Sequence, residues 1–355
     1  MSHTQKTVRQ PARKLPAEWA PQSGVMLTWP RPDSDWEDHL PEAEAALAEL
    51  TAQISRREQV LISCDDQTHQ RHITTLLTTA GADHAAITFQ FVPANDVWVR
   101  DHGPITVLAD GKPLLLDFTF NGWGGKYAAE LDNHLTRTLH SAGVFGDTPI
   151  TSSRFVLEGG SIDSDGEGTL LTTTSCLLGP GRNLGWSRQQ IEEELRETLG
   201  IDRVLWLKHG WLAGDDTDGH VDMLARFCDA NTIAYTACHD AADEHYPELN
   251  AMAAELAALR DGDGKPYKLI ALPLPAARFN EDGKRLPASY ANFLIINGAV
   301  LLPVYDDKNT DAYALAALRA AFPHHEIVAV PALALIRQYG SLHCATMQLP
   351  QGVLA

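Results

Sequence analysis

The chain has 355 residues, 44% of them hydrophobic, so it can bury a large core as one big domain or two ordinary ones. Its 46 acidic and 28 basic residues give a formal net charge of −18, which disfavours nucleic-acid binding and favours solubility or a cationic small ligand. The start shows no secretory pattern and the longest apolar stretch is too short for a bilayer, so we predict a soluble protein with no membrane partner.

The cysteine usage indicates a reducing compartment. Five cysteines are an odd number and contain no Cys-x-x-Cys pair, so the sequence predicts neither a disulfide framework nor a zinc ribbon. A cytoplasmic protein fits this pattern. We predict a disordered tail over residues 1–15, which is polar and basic, and a single α/β domain over residues 16–355.

One structural pattern repeats along the chain: a hairpin, a helix and a further strand recur at a spacing of roughly 50 to 70 residues, which is typical of repeat or propeller architecture. A fifth unit forms if the last predicted strand joins the strands near the N-terminus. The predicted strands are 23–29, 59–63, 86–92 and 342–348, the helices 41–55, 68–80, 128–141, one after Ser187, 247–259 and 311–321, and the hairpins 105–118, 156–173, 220–235 and 292–304.

An acidic stretch before the third hairpin places His220 and Asp222 close together. If residues 220–227 form a strand, both side chains point to the same face, because side chains alternate along a strand. The imidazole of His220, which can act as acid or base, and the carboxylate of Asp222 then lie on the same side of the strand. This pair is the first candidate for chemistry.

A second acidic loop follows the strand predicted at 86–92. Asp96 is a short carboxylate beside Trp98, which suits a flat, delocalised cation held in plane by oxygens and covered by a ring. Arg100 and Asp101 we interpret as paired charges that fix the loop.

Two residues next to glycines add to these candidates. Trp123 stands among Gly122, Gly124 and Gly125, which fits either a hinged lid over a pocket or a hydrophobic plug on a turn. Glu158 ends a predicted strand and is followed by residues without side chains, and a plain surface turn remains the alternative.

Among the cysteines, Cys344 stands apart. The other four lie in or beside apolar strands, where we interpret them as buried packing residues. Cys344 instead follows a glycine and a histidine. A thiolate is a competent nucleophile, and a nearby protonated histidine or a cationic substrate would lower its pKa.

These motifs occur in a fixed order. They are Asn95-Asp96-x-Trp98-x-Arg100-Asp101, Phe120-Asn121-x-Trp123-Gly124-Gly125, Glu158-Gly159-Gly160-Ser161, Gly214-Asp215-Asp216-Thr217-Asp218-Gly219-His220-x-Asp222 and Leu342-His343-Cys344. With them the chain resembles the agmatine deiminases, which belong with the bacterial type of peptidylarginine deiminase to the guanidine-modifying α/β-propeller superfamily. The resemblance runs from Trp19 to Gln348.

The resemblance implies a pentein fold: a five-bladed ββαβ α/β-propeller with pseudo-fivefold symmetry and an active site on its axis. It implies Cys344 as nucleophile, His220 as general acid and base, Asp96 and Asp222 as guanidinium clamp, and Glu158 beside His220. A guanidinium is a poor electrophile because its charge is delocalised, so a thiolate and positioning carboxylates suit it.

The implied reaction is hydrolysis of agmatine to N-carbamoylputrescine and ammonia through a covalent amidino-cysteine, as in putrescine and polyamine biosynthesis. We expect neither a cofactor nor a metal ion. The partner is a small cationic guanidine, and a homo-oligomer, dimer or tetramer, is left open. From the acidic charge and the tryptophan loops we further expect Trp98, Trp123, Asp216 and Asp218 to contact the substrate.

Three places depart from the best-known agmatine deiminases: residues 339–343 replace a Gly-Gly-Gly-Asn-Ile-His run, Asp163 replaces a histidine, and Met223 replaces an asparagine. A peptidyl arginine or another alkylguanidine therefore stays open as the substrate. A metal-dependent hydrolase using Asp215, Asp216, Asp218, His220 and Asp222 is a second hypothesis, although the ligand spacing is poor. An inactive binding scaffold is a third.

Overall fold

The computed structural model describes residues 12–354, in which helices connect the strands of five β-sheets. The predicted α/β class is confirmed. The strands are β1 Arg13–Lys14, β2 Gln22–Thr28, β3 Gln59–Cys64, β4 Ile87–Phe91, β5 Ile105–Ala109, β6 Lys112–Thr119, β7 Ile150–Val156, β8 Ile162–Ser164, β9 Thr169–Thr173, β10 Arg203–Leu207, β11 Ala225–Asp229, β12 Thr232–Ala237, β13 Lys268–Pro273, β14 Leu294–Ile296, β15 Ala299–Val304, β16 Glu326–Pro331 and β17 Met347–Pro350.

The helices lie mostly between parallel strands. They are α1 Leu40–Ser55, α2 Gln67–Ala80, α3 Val99–His102, α4 Gly122–Gly125, α5 Asp132–Ser141, α6 Thr174–Leu177, α7 Arg188–Leu199, α8 Tyr246–Ala258 and α9 Lys308–Ala321. Helix α7 begins with the capping box that the sequence predicts, since Ser187 and Gln190 satisfy each other's backbone N–H groups.

Each sheet combines an antiparallel pair with a parallel crossover. The sheet orders are β1-β5-β6-β7, β10-β9-β8, β11-β12-β13, β14-β15-β16 and β17-β2-β3-β4. In the third sheet, for example, β11 and β12 are antiparallel, and α8 then carries the chain to β13, which runs parallel to β12. The hairpin turns follow the sequence signals, because Asp110 and Gly111 both adopt the positive φ that such a turn requires.

The last strand of the described chain joins the sheet of β2, near the N-terminus. Strand β17 pairs antiparallel with β2, with Met347 opposite Met26, as the sequence predicts for a fifth unit. Arg13 and Lys14 pair with β5, so ordered structure begins before residue 16, which corrects the predicted boundary of the tail. The rest of that predicted tail, residues 1–11, lies outside the described residues.

Three predicted strands are wrong where they carry the candidate residues. Residues 221–223 form a 3-10 turn, and β11 begins only at Ala225. Residues 159–161 form another 3-10 turn between β7 and β8, and Cys344 precedes β17. The reason is local: Asp218 and Gly219 adopt positive φ and turn the chain before His220. These side chains therefore converge through turns rather than through strand alternation.

The core is apolar, but it encloses several buried charged side chains. Arg100, Arg226, Asp163 and Asp222 are each at least 96% shielded from solvent and lie among strands of different sheets. Buried charges require partners, so the pairing within this cluster fixes the positions of several side chains near the candidate active site. Between residues 12 and 354, no helix is both long and apolar enough to cross a bilayer.

Candidate active site

The Cys344 thiol lies at the inner end of a cavity, between an amide and a carboxylate. Its Sγ atom is 3.2 Å from Asn292 Nδ2 and 3.5 Å from Asp222 Oδ2. Burial and the nearby carboxylates of Asp222 and Asp101 hold the pKa of this thiol well above its usual value. In the absence of a cation, Cys344 is therefore a neutral thiol.

His220 is fully buried and surrounded by acids at long distances. Nδ1 lies 3.6 Å from Asp101 Oδ1 and Nε2 lies 3.7 Å from Glu158 Oε2. Although burial lowers the pKa of His220, Asp101, Cys176 and Glu158 raise it well above the usual value. Neither ring nitrogen has a partner at hydrogen-bond length among the described residues.

Gly160 leaves the space in which these groups meet. A Cβ atom at this position would lie 2.6 Å from His220 Nδ1, 2.8 Å from Asp101 Oδ1 and 3.0 Å from Asp222 Oδ2. Three polar atoms from three segments thus surround one point. The Gly160 N–H also donates to Asp101 Oδ1 at 3.0 Å, which fixes that carboxylate.

Asp101 belongs to the site, which corrects its interpretation as the ion-pair partner of Arg100. Its other oxygen, Oδ2, accepts a hydrogen bond from Trp123 Nε1 at 2.9 Å. Arg100 instead turns away and contacts Glu18 at 3.4 Å and Gln348. The loop after β4 therefore sends its carboxylate and its guanidinium in different directions.

Glu158 is held by Arg182, a residue that the sequence reasoning missed. Arg182 Nε lies 2.8 Å from Glu158 Oε1 and 3.0 Å from Oε2, and both side chains are almost completely buried. Although burial raises the pKa of Glu158, His220 and Arg182 lower it, so the carboxylate stays charged beside the imidazole. Arg182 also donates to Asp218 and to the carbonyl of Thr217.

Asp96 also lines the cavity. Its Oδ1 accepts hydrogen bonds from Val97 N–H at 2.7 Å and from Trp36 Nε1 at 3.2 Å. Burial raises the pKa of Asp96 to about 7, while these two hydrogen bonds lower it. The Trp36 ring packs on Trp98, with the centroids 5.7 Å apart. Trp36 is a further contact that the sequence reasoning missed.

The cavity is lined by acidic and aromatic side chains. Asp35, Asp96, Asp101 and Asp216 supply carboxylates, and Trp98, Trp123, Tyr127 and Tyr339 supply rings. Within the part of the chain that the structure describes, the remaining lining residues are Thr217, Gln338, Gly340 and Cys344, and none is basic. Such an enclosure favours a cation.

Of the predicted substrate contacts, Asp96, Trp98, Trp123 and Asp216 line this cavity, whereas Asp218 and Asp222 are not among its lining residues. The two Asp218 oxygens accept from Lys126 at 2.8 Å and Arg182 at 2.7 Å. Both Asp218 oxygens are therefore already paired with cations, and a contact between Asp218 and the substrate stays a prediction. Asp216 reaches the cavity rim, where Tyr127 donates to it at 2.5 Å.

The sequence departs from the agmatine deiminase motifs at three places, and two of these lie away from the cavity. Asp163 pairs with the buried Arg226 at 3.3 Å, and Met223 is buried and offers its carbonyl to Ser289 and Thr236. Tyr339 is the departure that reaches the cavity, with a positive φ of 70°.

A metal ion would find its best donors at Glu158, Cys176 and His220, whose ligand atoms lie within 4.8 Å of one another. The aspartates before His220 do not join them. Asp215 accepts from the Thr217 and Gly219 N–H groups and so stabilises its own turn. The Arg182 guanidinium at Glu158 opposes a second cation there.

Every sheet sends a segment to this site, and each segment precedes one strand of that sheet's antiparallel pair. Asp96 and Asp101 precede β5, Glu158 precedes β8, His220 and Asp222 precede β11, Asn292 precedes β14 and Cys344 precedes β17. Sequence reasoning placed four of these five segments and missed Asn292. A buried thiol with an imidazole, an amide and several carboxylates suits covalent catalysis on a cationic group.

The chain is similar to known proteins over nearly its whole length. Residues 14–350 match the Porphyromonas-type peptidyl-arginine deiminase family. It is 36% identical over 373 residues to an agmatine deiminase of Stutzerimonas stutzeri, which covers 99% of both chains. It is 49% identical to a Porphyromonas gingivalis protein of known structure, with a TM-score of 0.91 and coverage of 97% and 100%.

A third similarity is to a substrate-bound cysteine-to-serine variant of the C. jejuni agmatine deiminase, which is 37% identical, with a TM-score of 0.89 and coverage of 96% and 97%. The chain is a hydrolase that acts on guanidine carbon–nitrogen bonds. It belongs to the Porphyromonas-type peptidyl-arginine deiminase family.

Proposed function

We propose that this protein is an agmatine deiminase that hydrolyses agmatine to N-carbamoylputrescine and ammonia. One observation carries the proposal: the cavity that ends at Cys344 is lined by four aspartates and four aromatic rings. Agmatine carries a guanidinium, a distal ammonium and no carboxylate. An acidic, aromatic enclosure therefore attracts both of its ends.

Asp96 and Asp222 hold the guanidinium from two sides in this proposal. Asp222 Oδ1 is buried and has no hydrogen-bond partner among the described residues, which supports a role in receiving a substrate N–H group. Oδ2 of the same carboxylate lies 3.5 Å from the thiol, so the guanidinium carbon is brought close to the sulfur.

Catalysis begins when the substrate binds beside the neutral thiol. The guanidinium adds positive charge where Asp222 and Asp101 oppose a thiolate, so Cys344 loses its proton to water and adds to the guanidinium carbon. The His220 imidazolium then gives its proton to the departing ammonia, which leaves an amidino group on the sulfur. Neutral His220 next takes a proton from water, and the hydroxide attacks the amidino carbon and releases the ureido product and the thiol.

The finer architecture belongs to this proposal. We place the five sheets around one axis as the ββαβ blades of a pentein fold that forms a single domain. The support is that the segments before β5, β11 and β17 line the cavity. The segments before β8 and β14 contact the same groups, through Glu158 beside His220 and Asn292 beside Cys344. The five described cysteines are all free, which supports a cytoplasmic setting, where agmatine would serve putrescine synthesis.

A blocked arginyl peptide is the second candidate. A neighbouring cavity lies on the far side of Asp96 and Tyr127 and is also lined by Arg31 and Asp33, so a longer substrate could extend along this side. Free arginine brings a carboxylate instead. Arg31 is paired with Asp33 at 3.0 Å and Asp65 at 3.4 Å, and so is already occupied.

The test is a substrate panel of agmatine, a blocked arginyl peptide and free arginine, assayed for ammonia and ureido product. We expect kcat/KM to fall in that order, with free arginine about a thousandfold below agmatine because its carboxylate must be buried beside acids. Cys344→Ser should abolish turnover, while the control Cys238→Ser should leave it unchanged. Comparable kcat/KM for agmatine and free arginine would contradict the proposed substrate, and a Cys344→Ser enzyme with a tenth of the normal rate would contradict the nucleophile.

A further inference from the structure

A second histidine lies directly behind the Cys344 cavity and contacts carboxylates through both ring nitrogens. His343 Nδ1 is 2.8 Å from Asp222 Oδ2, and its Nε2 is 2.8 Å from Glu18 Oε1. The side chain has no exposed surface. Both contacts have ideal hydrogen-bond length, so the ring bridges two carboxylates that come from distant parts of the chain.

The Glu18 end of this bridge is anchored by several other groups. Glu18 also pairs with Arg226 and with Arg100, at 3.4 Å for the latter, and accepts a hydrogen bond from Gln348 Nε2 at 2.9 Å. Removing one donor would therefore leave Glu18 well satisfied. This end of the bridge is redundant.

The Asp222 end has much less support. Within the described part of the chain, the Asp222 carboxylate has two contacts of hydrogen-bond type: His343 Nδ1 at 2.8 Å and the Cys344 thiol at 3.5 Å. Its other oxygen, Oδ1, has no partner. Without His343, the carboxylate could rotate about its last side-chain bond, because only the long thiol contact would restrain it.

We propose that His343 is a positioning residue that holds Asp222 Oδ2 so that Oδ1 stays directed toward the cationic substrate, with Glu18 as the anchor of the imidazole. This inference rests on the proposed function, in which Asp222 receives the guanidinium. His343 does not touch the substrate, since the Asp222 carboxylate stands between them. Its proton on Nδ1 is the atom that matters.

Opposing charges act on the imidazole of His343. Burial and the Arg100 and Arg226 guanidinium groups lower the pKa of His343 below its usual value, against Glu18 and Asp222, which raise it. Hydrogen bonds to two charged carboxylates at 2.8 Å require an N–H on each ring nitrogen, so in this proposal the bridging ring is protonated. Although burial raises the pKa of Asp222, the contact with His343 lowers it, so this carboxylate stays charged. A charged, fixed Asp222 is what recognition of a guanidinium requires.

The two halves of the bridge can be separated with a matched pair of variants. The amide nitrogen of an asparagine at position 343 takes the place of Nδ1 and keeps the bond to Asp222, whereas a glutamine places its amide near Nε2 and keeps the bond to Glu18. We expect His343→Asn to retain kcat/KM for agmatine within about tenfold and His343→Gln to lose about a hundredfold, mainly through KM. A purely structural role predicts similar losses in both.

The second readout needs no turnover. The rate of Cys344 alkylation is measured with a cationic haloacetamidine and with neutral iodoacetamide, and the ratio of the two rates reports cation recognition beside the thiol. We expect this ratio to fall in His343→Gln and to stay near the wild-type value in His343→Asn. Equal ratios in the two variants, or a lower ratio in His343→Asn, would overturn the inference.

A pair of Glu18 variants tests the inference if the His343 variants fold poorly. Glu18→Gln keeps an acceptor for Nε2 and should leave the ratio unchanged, whereas Glu18→Met removes the acceptor and should lower it. An unchanged ratio in Glu18→Met would overturn the role of Glu18 as anchor. Failure of the proposed function would appear differently, as wild-type protein that turns over no guanidine even though its reagent ratio favours the cation.

Discussion

His220 and His343 are both buried histidines beside carboxylates, yet they are held in different ways. The acids around His220 lie 3.6 and 3.7 Å from its ring nitrogens, and neither nitrogen has a partner at hydrogen-bond length. His343 contacts its two carboxylates at 2.8 Å. An imidazole that exchanges protons with a substrate needs unoccupied nitrogens, whereas one that fixes a carboxylate needs occupied ones. The contact distances therefore support the two proposed roles, proton transfer for His220 and positioning of Asp222 for His343.

The largest effect should come from His220→Asn. If this ring transfers both protons, its loss should lower kcat about a thousandfold, because ammonia release and hydrolysis of the intermediate both slow. Stopped assays of ammonia and ureido product measure this loss, and thermal unfolding checks the fold. His343→Asn is the matched control, since the same substitution there preserves the contact with Asp222. Equal losses in the two variants would remove the distinction between the histidines.

A smaller effect is expected from Gly160→Ala. The added methyl group would lie within 3.0 Å of His220, Asp101 and Asp222, so it would displace them without creating φ strain at this position. We expect a loss of about a hundredfold in kcat/KM, as displacements of about 1 Å produce in active sites. Gly262→Ala is the control, because its Cβ meets nothing within 4 Å. Full activity of Gly160→Ala would mean that these three groups need not surround one point.

The smallest effect concerns pH. Burial raises the pKa of Asp96 to about 7, and a protonated Asp96 cannot pair with a cation. For agmatine, kcat/KM should therefore fall about tenfold per unit as the pH decreases below this value and level off above it. Trp36→Phe removes a hydrogen bond that favours the carboxylate, so the fall should begin at a higher pH. A profile that is identical in Trp36→Phe and wild type would assign this limb to another group.

Much of the repeating architecture could be predicted from the sequence because its signals are local. The glycine turn at Asp110, the capping box at Ser187 and the apolar periodicity of α1 and α9 each depend on a few neighbouring residues. The strand predicted from His220 was wrong because a second local signal outweighs the first. Val221 and Met223 alternate like a strand, but the positive φ of Asp218 and Gly219 turns the chain just before His220.

The residues that sequence reasoning missed depend on contacts between distant segments. Arg182 follows α6 in an ordinary Gly-Pro-Gly loop, and nothing nearby indicates that it pairs with Glu158. Asn292 could have been found, because it precedes β14 as His220 precedes β11 and Cys344 precedes β17. His343 was named only as a neighbour of Cys344, since the partner that defines it, Glu18, lies at the other end of the chain.

The pairing of β17 with β2 determines when the site can exist during synthesis. The aspartates that attract a cation leave the ribosome early, whereas the thiol and the histidine behind it emerge last of the set, and they reach Asp222 only when the final strand closes onto β2. A nascent chain that ends before Cys344 therefore lacks the thiol of this site, whatever its local folding. Activity requires that β17 has been synthesised and has paired with β2.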